Sequence, residues 1–296
     1  MLGQKKSNIL SRIFLNLIMI AVALFCVVPL VYIVSASFSS KAALTEYGYT
    51  LIPKEFDLAA YEYVLKSPKQ ILTAYGVTIF VTVVGTVISL LFTSMLGYVM
   101  SRKDFKYHRI LSFLVLFTLL FNGGMVPTYI TINNFYKLGD KIWAQLLPYI
   151  IVPWHVFLMR GFFNNVPMSL IEAARMDGAG EIRTFFRIVV PISKPAFATV
   201  GLFTAFTYWN EWYLSLMYIN EANLQSLQYY LYRIMNNINF MTSSMMSAQV
   251  TIDMSKIPSE SARMALCVIA AGPMLLIFPF FQKYFVKGIS IGAVKG

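Results

Sequence analysis

Long apolar runs alternate with shorter polar segments along this 296-residue chain. Six such runs stand out, at residues 13–38, 71–100, 110–128, 142–159, 195–218 and 261–281. Each approaches or exceeds the roughly 20 residues that a helix needs to cross the hydrocarbon core of a bilayer. Continuous runs of this kind predict helices and not the alternating strands of a barrel. The expected fold is therefore an all-α integral membrane protein with six transmembrane helices and both ends on one side. Pro29 predicts a kink in the first run, and Pro148 and Pro153 interrupt the fourth. Gly76, Gly85 and Gly97 in the second run would permit close helix contacts. In the third run, Asn122-Gly123-Gly124 either breaks the helix where a pathway needs room or serves packing at a helix end. Of the polar segments, 39–70 predicts one short helix near 58–65, and 220–259 predicts a long loop with no span inside it. The first run has a faint cleavage-like Val34-Ser35-Ala36, but it exceeds a usual signal core and reads as a retained span.

The polar stretch 172–195 differs from the other connections. Ser169 and Glu172 have capping-box spacing, so a short helix is expected to start near Ser169, with Pro167 just upstream. Ala173, Ala174, Arg175 and Met176 favour helix, and Gly178 and Gly180 supply the stop. Leu170, Ala173, Ala174 and Asp177 share a face by three-and-four spacing, and its two small side chains would let another surface come close. A second helical stretch, 181–190, should end at Pro191. By periodicity alone this is equally an amphipathic connector lying at the membrane surface.

The chain is 58% hydrophobic and 12% charged, about half the charge of an ordinary soluble domain. Its net charge of +11 would raise nucleic acid as a partner in a soluble protein. Here the distribution decides otherwise. With the termini inside, the inner segments carry 15 Lys and Arg against 4 acids, and the outer loops 8 against 7. Nearly all of the surplus lies on the side that holds the 160–194 segment, as expected of the cytoplasmic side. No basic groove with interleaved aromatics points to nucleic acid.

Glu172-Ala173-Ala174, then Gly178, Ile188 and Pro191 at fixed offsets, resembles the signature loop of membrane subunits of ABC importers. Asp177-Gly178-Ala179 makes it similar to the maltose-type carbohydrate permease branch. The position before Pro191 is Val190, where that family usually carries Leu. Trp209-Asn210-Glu211, Gly97-Tyr98 with Ser101-Arg102, and the tail from Tyr284 to Gly296 resemble the same branch, so the likeness covers nearly the whole chain. The segments around Asn122 and Lys283 resemble a sub-branch for complex oligosaccharides from plant or microbial polysaccharide.

The resemblance implies a type I ABC importer permease fold. Residues 1–70 would form an N-terminal cytoplasmic segment, first span and outer loop. Residues 71–281 would form the transmembrane domain, with coupling loop 165–195 and outer loop 220–259, and 282–296 a cytoplasmic tail. Glu172, Ala173, Ala174, Arg175, Asp177 and Gly178 would form a coupling helix against a cytoplasmic ATPase. Arg175, Arg183 and Arg187 would meet acids on that ATPase or anionic headgroups of membrane lipid. The implied partners are a second, related permease, two ATPases that bind ATP and Mg, an extracytoplasmic solute-binding protein reached by the 220–259 loop, and an oligosaccharide. The implied location is a prokaryotic cytoplasmic membrane, with both termini cytoplasmic.

The chain has no phosphate-binding loop of the Gly-x-x-x-x-Gly-Lys-Ser/Thr type, so ATP would be bound elsewhere. Paired carboxylates, a nucleophile elbow or metal-spaced His and Cys are missing, so an enzyme is not expected and no cofactor belongs to this chain. Cys26 and Cys267 form no framework, and His108 and His155 are read as a loop residue and a helix residue. The candidate substrate path is Asn122 with Trp209, Asn210, Glu211 and Trp212. Glu211 is an ionisable group at or near membrane depth, although the tryptophans also fit an interfacial belt. The other class weighed is an ion-coupled secondary transporter of a small polar solute, for which the chain lacks evident internal repeats.

Overall fold

A computed structural model describes the backbone of residues 9–247 and 259–293. It is helical, and among the described residues the extended pairing is an isolated bridge between Ser39 and Phe56. The helices are α1 (Ile9–Ser37), α2 (Lys41–Tyr47), α3 (Ala59–Val64), α4 (Pro68–Ser101), α5 (His108–Leu120), α6 (Met125–Ile130), α7 (Trp143–Leu146), α8 (Pro153–Phe163), α9 (Met168–Met176), α10 (Glu181–Thr184), α11 (Val190–Ile192), α12 (Lys194–Trp209), α13 (Tyr213–Tyr218), α14 (Leu227–Ser247) and α15 (Ser259–Ala293).

Three of these are long and apolar enough to cross a bilayer as single helices, over Ser11–Ser37, Pro68–Ser101 and Glu260–Pro279. Three further spans arise only if each of three bent pairs counts as one. The third apolar run breaks at 121–124, where Phe121 is extended and Gly124 has φ +90°, and the chain turns by 111°. Asn122-Gly123-Gly124 is therefore a helix break. The fourth run bends by 46° between Tyr149 and Pro153, in keeping with its two prolines. The segment Glu181–Ile192 meets Lys194–Trp209 at 85°.

The chain divides into two compact units. The smaller comprises residues 1–67 and 233–272. In it, Phe38 stacks on Phe56 and Tyr61 with centroids 5.5 and 4.9 Å away. Ser40 caps α2 by accepting from the Ala43 N–H at 3.0 Å. The α1 span buries none of its apolar window within the chain, so its side chains are left to lipid or to another subunit. The short helix expected near 58–65 is α3, and α2 was not foreseen. The 220–259 segment, expected as a loop, contains the whole of α14, a 21-residue helix. Residues 248–258 of that segment and the tail residues Val294 to Gly296 lie outside the described residues.

The larger unit comprises residues 68–232 and 273–296. Here α4 packs against both α8 and α12. The sequence explains how: α4 buries a stripe of small residues, Thr78, Thr82, Gly85, Ser89, Thr93 and Gly97, spaced three or four apart. At Gly97 an added Cβ would lie 2.9 Å from Met159 Cβ on α8. At Gly85 it would lie 2.5 Å from the ring of Tyr208 on α12. Gly76 faces open space, so close packing is the work of two of the three glycines. His155 is buried between α8 and α12, with its Nδ1 3.2 Å from Thr204 Oγ1.

Candidate functional site

The loop between α8 and α12 carries α9, and its geometry corrects the sequence reading in four places. The helix begins at Met168 with Pro167 at the N-cap and no side-chain cap, so Ser169 and Glu172 form no capping box. Proline suits this entry because its missing N–H has no partner in a first turn. At the other end, Gly178 N–H donates to Arg175 O at 3.0 Å and Ala179 N–H to Ala174 O at 2.9 Å. With Gly178 at φ +77° this is a complete Schellman closure. Gly180, at φ −71° and ψ 165°, is extended and opens α10, so the stop is Gly178 alone.

The faces of α9 also separate differently. Ile171 and Ala174 are buried, in a cluster that Ile171 shares with Tyr98, Phe163, Phe185 and Val189. Leu170, Ala173 and Asp177 remain exposed, and Met176 is 89% exposed. Ala174 thus seats the helix on its own unit, and Leu170, Ala173 and Met176 form the free surface. Glu172 is also exposed. Pro191 does not end the second stretch. A π-turn over Phe185–Val189, with Val190 N–H donating to Phe185 O, widens the helix just ahead of it, and the helix runs on to Ile192.

Arg175 is engaged within the chain, which the sequence did not reveal. Its guanidinium reaches Glu181 Oε1 at 2.6 Å and Asp104 Oδ2 at 2.8 Å. Arg102, at the end of α4 and only 6% exposed, forks onto the same Asp104 at 2.8 and 2.6 Å and reaches Glu181 Oε2 at 3.0 Å. It also donates to the Tyr98 hydroxyl. Two cations and two carboxylates alternate in a closed ring that joins the end of α4, the last turn of α9 and the first residue of α10. The hydrogen bond from Arg102 holds the Asp104 carboxyl well below the usual carboxylate range, against the opposing effect of burial. Burial pushes Glu181 up, and the Arg175 hydrogen bond with the charges of both arginines more than offsets it, leaving Glu181 lowered. Arg102 is held protonated more firmly than a free guanidinium, first by the Asp104 hydrogen bond. The signal that could have found this ring was the turn Ser101-Arg102-Lys103-Asp104, which the sequence offered as part of the family resemblance and as positive charge on the inner side. Arg183 and Arg187 are exposed on the following segment.

The second candidate cluster lies where α12 breaks before α13. Trp209 and Glu211 are buried, whereas Asn210 and Trp212 are exposed. Glu211 Oε1 accepts from the Leu214 N–H at 2.6 Å, and its backbone carbonyl accepts from Ser226 Oγ at 2.9 Å. Trp209 lies 6.4 Å from Tyr75 between ring centroids, and Trp212 4.8 Å from Tyr232. Asn210 Nδ2 donates back to Phe206 O. Asn122 sits on a different element, in the α5–α6 break, where its Oδ1 accepts from the Gly124 N–H at 2.9 Å. Nearby order comes from Asp140, whose carboxylate accepts from the backbone N–H groups of Asn220 and Glu221, fixing the α13–α14 connection to the loop before α7. Those two N–H groups, Glu221 first, lower the Asp140 pKa. Among the described residues no cluster of His, Cys, Asp and Glu has the makings of a metal site.

Apolar helices of membrane-crossing length, with the short exposed helix α9 between two bent pairs, define an integral membrane protein. The chain belongs to the family described as the binding-protein-dependent transport system inner membrane component, whose profile matches residues 1–291. It is 38% identical to the polygalacturonan/rhamnogalacturonan transport system permease protein YtcP of Bacillus subtilis, over 93% of this chain and 94% of that one. It is 37% identical to protein LplC of Bacillus subtilis, over 91% and 90%. Among solved structures it is similar to a chain of a bacterial ABC transporter involved in the import of the acidic polysaccharide alginate. That match has a TM-score of 0.78 and 29% identity, and covers 96% of this chain and all of the other. The chain is thus a permease subunit of an ABC importer, a transport protein of the inner membrane and not an enzyme. Its family works with a second permease, an ATPase and a binding protein. The ion-coupled alternative is left without support.

Proposed function

We propose that this chain is one of two distinct permeases that carry an oligosaccharide across a prokaryotic cytoplasmic membrane, through six spans with both termini in the cytoplasm. The oligosaccharide arrives on an extracytoplasmic binding protein, and two ATPases holding ATP and Mg drive the cycle. In this reading α9 is the coupling helix. Its exposed face of Leu170, Ala173 and Met176, flanked by Glu172 and Asp177, seats in a cleft of one ATPase, and Gly178 fixes where it ends. Ala174 and Arg175 hold the helix from behind. Ala173 matters because a methyl side chain allows close approach, and Met176 because a flexible thioether fits an irregular apolar cleft. The single observation that carries the reading is a short helix with a free apolar face, closed by a Schellman glycine, on a polar segment set between two bent apolar pairs.

The substrate reading is finer. Relatives named for polygalacturonan/rhamnogalacturonan and for alginate favour oligosaccharides of acidic polysaccharides. Asn122, Asn210 and Trp212 are the exposed members of the candidate path, and an indole face with an amide suits a sugar ring and its hydroxyls. Asn122 would contribute from the α5–α6 break. The test is the assembled transporter in vesicles with Met176→Cys. A cross-link from that thiol to the ATPase, together with ATP-dependent uptake of an oligogalacturonide presented by the binding protein, is the expected result. Uptake that persists without ATPase, or a thiol that reacts only from the extracytoplasmic side, overturns the reading.

A further inference from the structure

The ring of Arg102, Asp104, Arg175 and Glu181 is a feature that the signature loop does not explain. Only Arg175 belongs to the six docking residues, and it is the one whose charge is already spent inside the chain. We infer that this ring is the linkage through which a displacement of α9 reaches the long span α4, and that Arg102 is its positioning residue. The inference rests on α9 being the ATPase-facing helix and adds the route by which its motion leaves it.

The geometry supports a linkage and not a set of independent surface pairs. Each acid accepts from both arginines, and each arginine reaches both acids, so no corner can move without stretching contacts at two others. The four residues sit on three different elements, the exit of α4, the last turn of α9 and the start of α10. The remaining tie between α9 and the bundle is apolar, through Ile171 and Ala174, and apolar contacts slide without directional preference. A forked guanidinium–carboxylate pair fixes direction as well as distance. Arg102 is the buried corner. Its side chain lies 5.4 Å from the Tyr98 ring centroid, and Tyr98 itself packs on Phe163 and Phe185. The same tyrosine hydroxyl lies 3.3 Å from Glu181 Oε2, so the ring is anchored to the apolar cluster beneath it. Arg175 and Glu181 are the solvent-facing corners, with side chains 43% and 55% exposed. A pull on the end of α9 is thus passed through Arg175, to Asp104 and Glu181, to a guanidinium held at the foot of α4.

The experiment uses the complete transporter in vesicles, with the second permease, ATPases and binding protein, and reads substrate taken up per ATP hydrolysed. Arg102→Met, and separately the more exposed pair Asp104→Asn with Glu181→Gln, should leave the ATPase bound and hydrolysing while uptake per ATP falls about fivefold or more. The exposed pair covers the case in which loss of Arg102 prevents folding. Exchanging the two carboxylates, Asp104→Glu with Glu181→Asp, keeps a negative charge at each of those corners and should recover part of the loss, which a merely structural effect would not do. A Met176→Cys cross-link to the ATPase is recorded in the same particles. If the cross-link forms and the exposed pair leaves uptake per ATP unchanged, the linkage is overturned while docking stands. If the cross-link is missing in the unmodified background, docking itself has failed.

Discussion

The ring of Tyr208 packs against Gly85, so that a methyl group there would sit 2.5 Å from the tyrosine Cζ. Tyr208 has little freedom to withdraw. It is buried, and its hydroxyl donates to Leu146 O at 2.9 Å. Gly85→Ala should therefore cost about 1–3 kcal/mol by overpacking, read as a lower melting temperature of the purified protein in detergent. Gly76→Ala, which meets nothing within 4 Å, should be neutral or slightly stabilising, since alanine is the better helix former. Equal effects at the two positions would remove the close α4–α12 contact as an explanation.

Gly178 and Gly180 provide a second paired comparison. Neither meets a neighbour within 4 Å, so only backbone conformation separates them. Gly178→Ala forces a side chain into the left-handed region at φ +77°, at about 1–2 kcal/mol, and should fray the end of α9. The extended Gly180, at φ −71°, accepts an alanine Cβ without that strain. Binding-protein-dependent uptake should fall in the first variant and not in the second. A bulky side chain at Gly178 should uncouple ATP hydrolysis from uptake altogether.

What the amino-acid pattern revealed and what it concealed divide along physical lines. The long runs over α1, α4 and α15 were legible because hydropathy over 20 residues needs no partner to be read. Gly178 as a helix stop was legible for a similar reason, since few residues accept that conformation. The capping box failed because Ser169 and Glu172 have the right spacing but lie inside a helix that Pro167 had already begun. The burial of Ala174 instead of Ala173 was not legible, since adjacent alanines are identical until the neighbouring cluster of Phe163 and Phe185 picks one. Nor was the Arg102 to Glu181 contact, which joins residues 79 positions apart. Apolar periodicity also missed α14, whose residues were polar enough to read as loop and whose helix appears only in the folded chain.

The ring makes a statement about acid. Asp104 has a depressed pKa in the folded protein, as does Glu181. A depressed carboxylate contributes stability that is fully present above its unfolded value, near ~4, and is lost as pH falls through the lower folded value. The gap in thermal stability between the wild type and Asp104→Asn should thus stay constant from about pH 8 to about pH 5 and close only below about pH 4. Melting in detergent across that range checks it. A gap that closes near neutrality would place the titrating group elsewhere.

Glu211 and Trp212 are neighbours in sequence and face different tasks. The Glu211 carboxylate is turned inward to the Leu214 N–H at the start of α13, and only 8% of the residue is exposed. Glu211→Ala removes that acceptor from a buried donor, a loss of about 1–3 kcal/mol, while Glu211→Gln keeps an oxygen there and should recover most of it. Both changes should act on melting temperature and leave the preference among oligosaccharides alone. Trp212 is exposed and stacks only partly on Tyr232, so Trp212→Ala should do the reverse, lowering uptake or shifting preference at nearly unchanged stability. Competition between oligogalacturonides and neutral maltodextrins for uptake by the assembled transporter separates the two outcomes. Altered preference in Glu211→Gln, with Trp212→Ala silent, would move the sugar-facing role to the buried carboxylate.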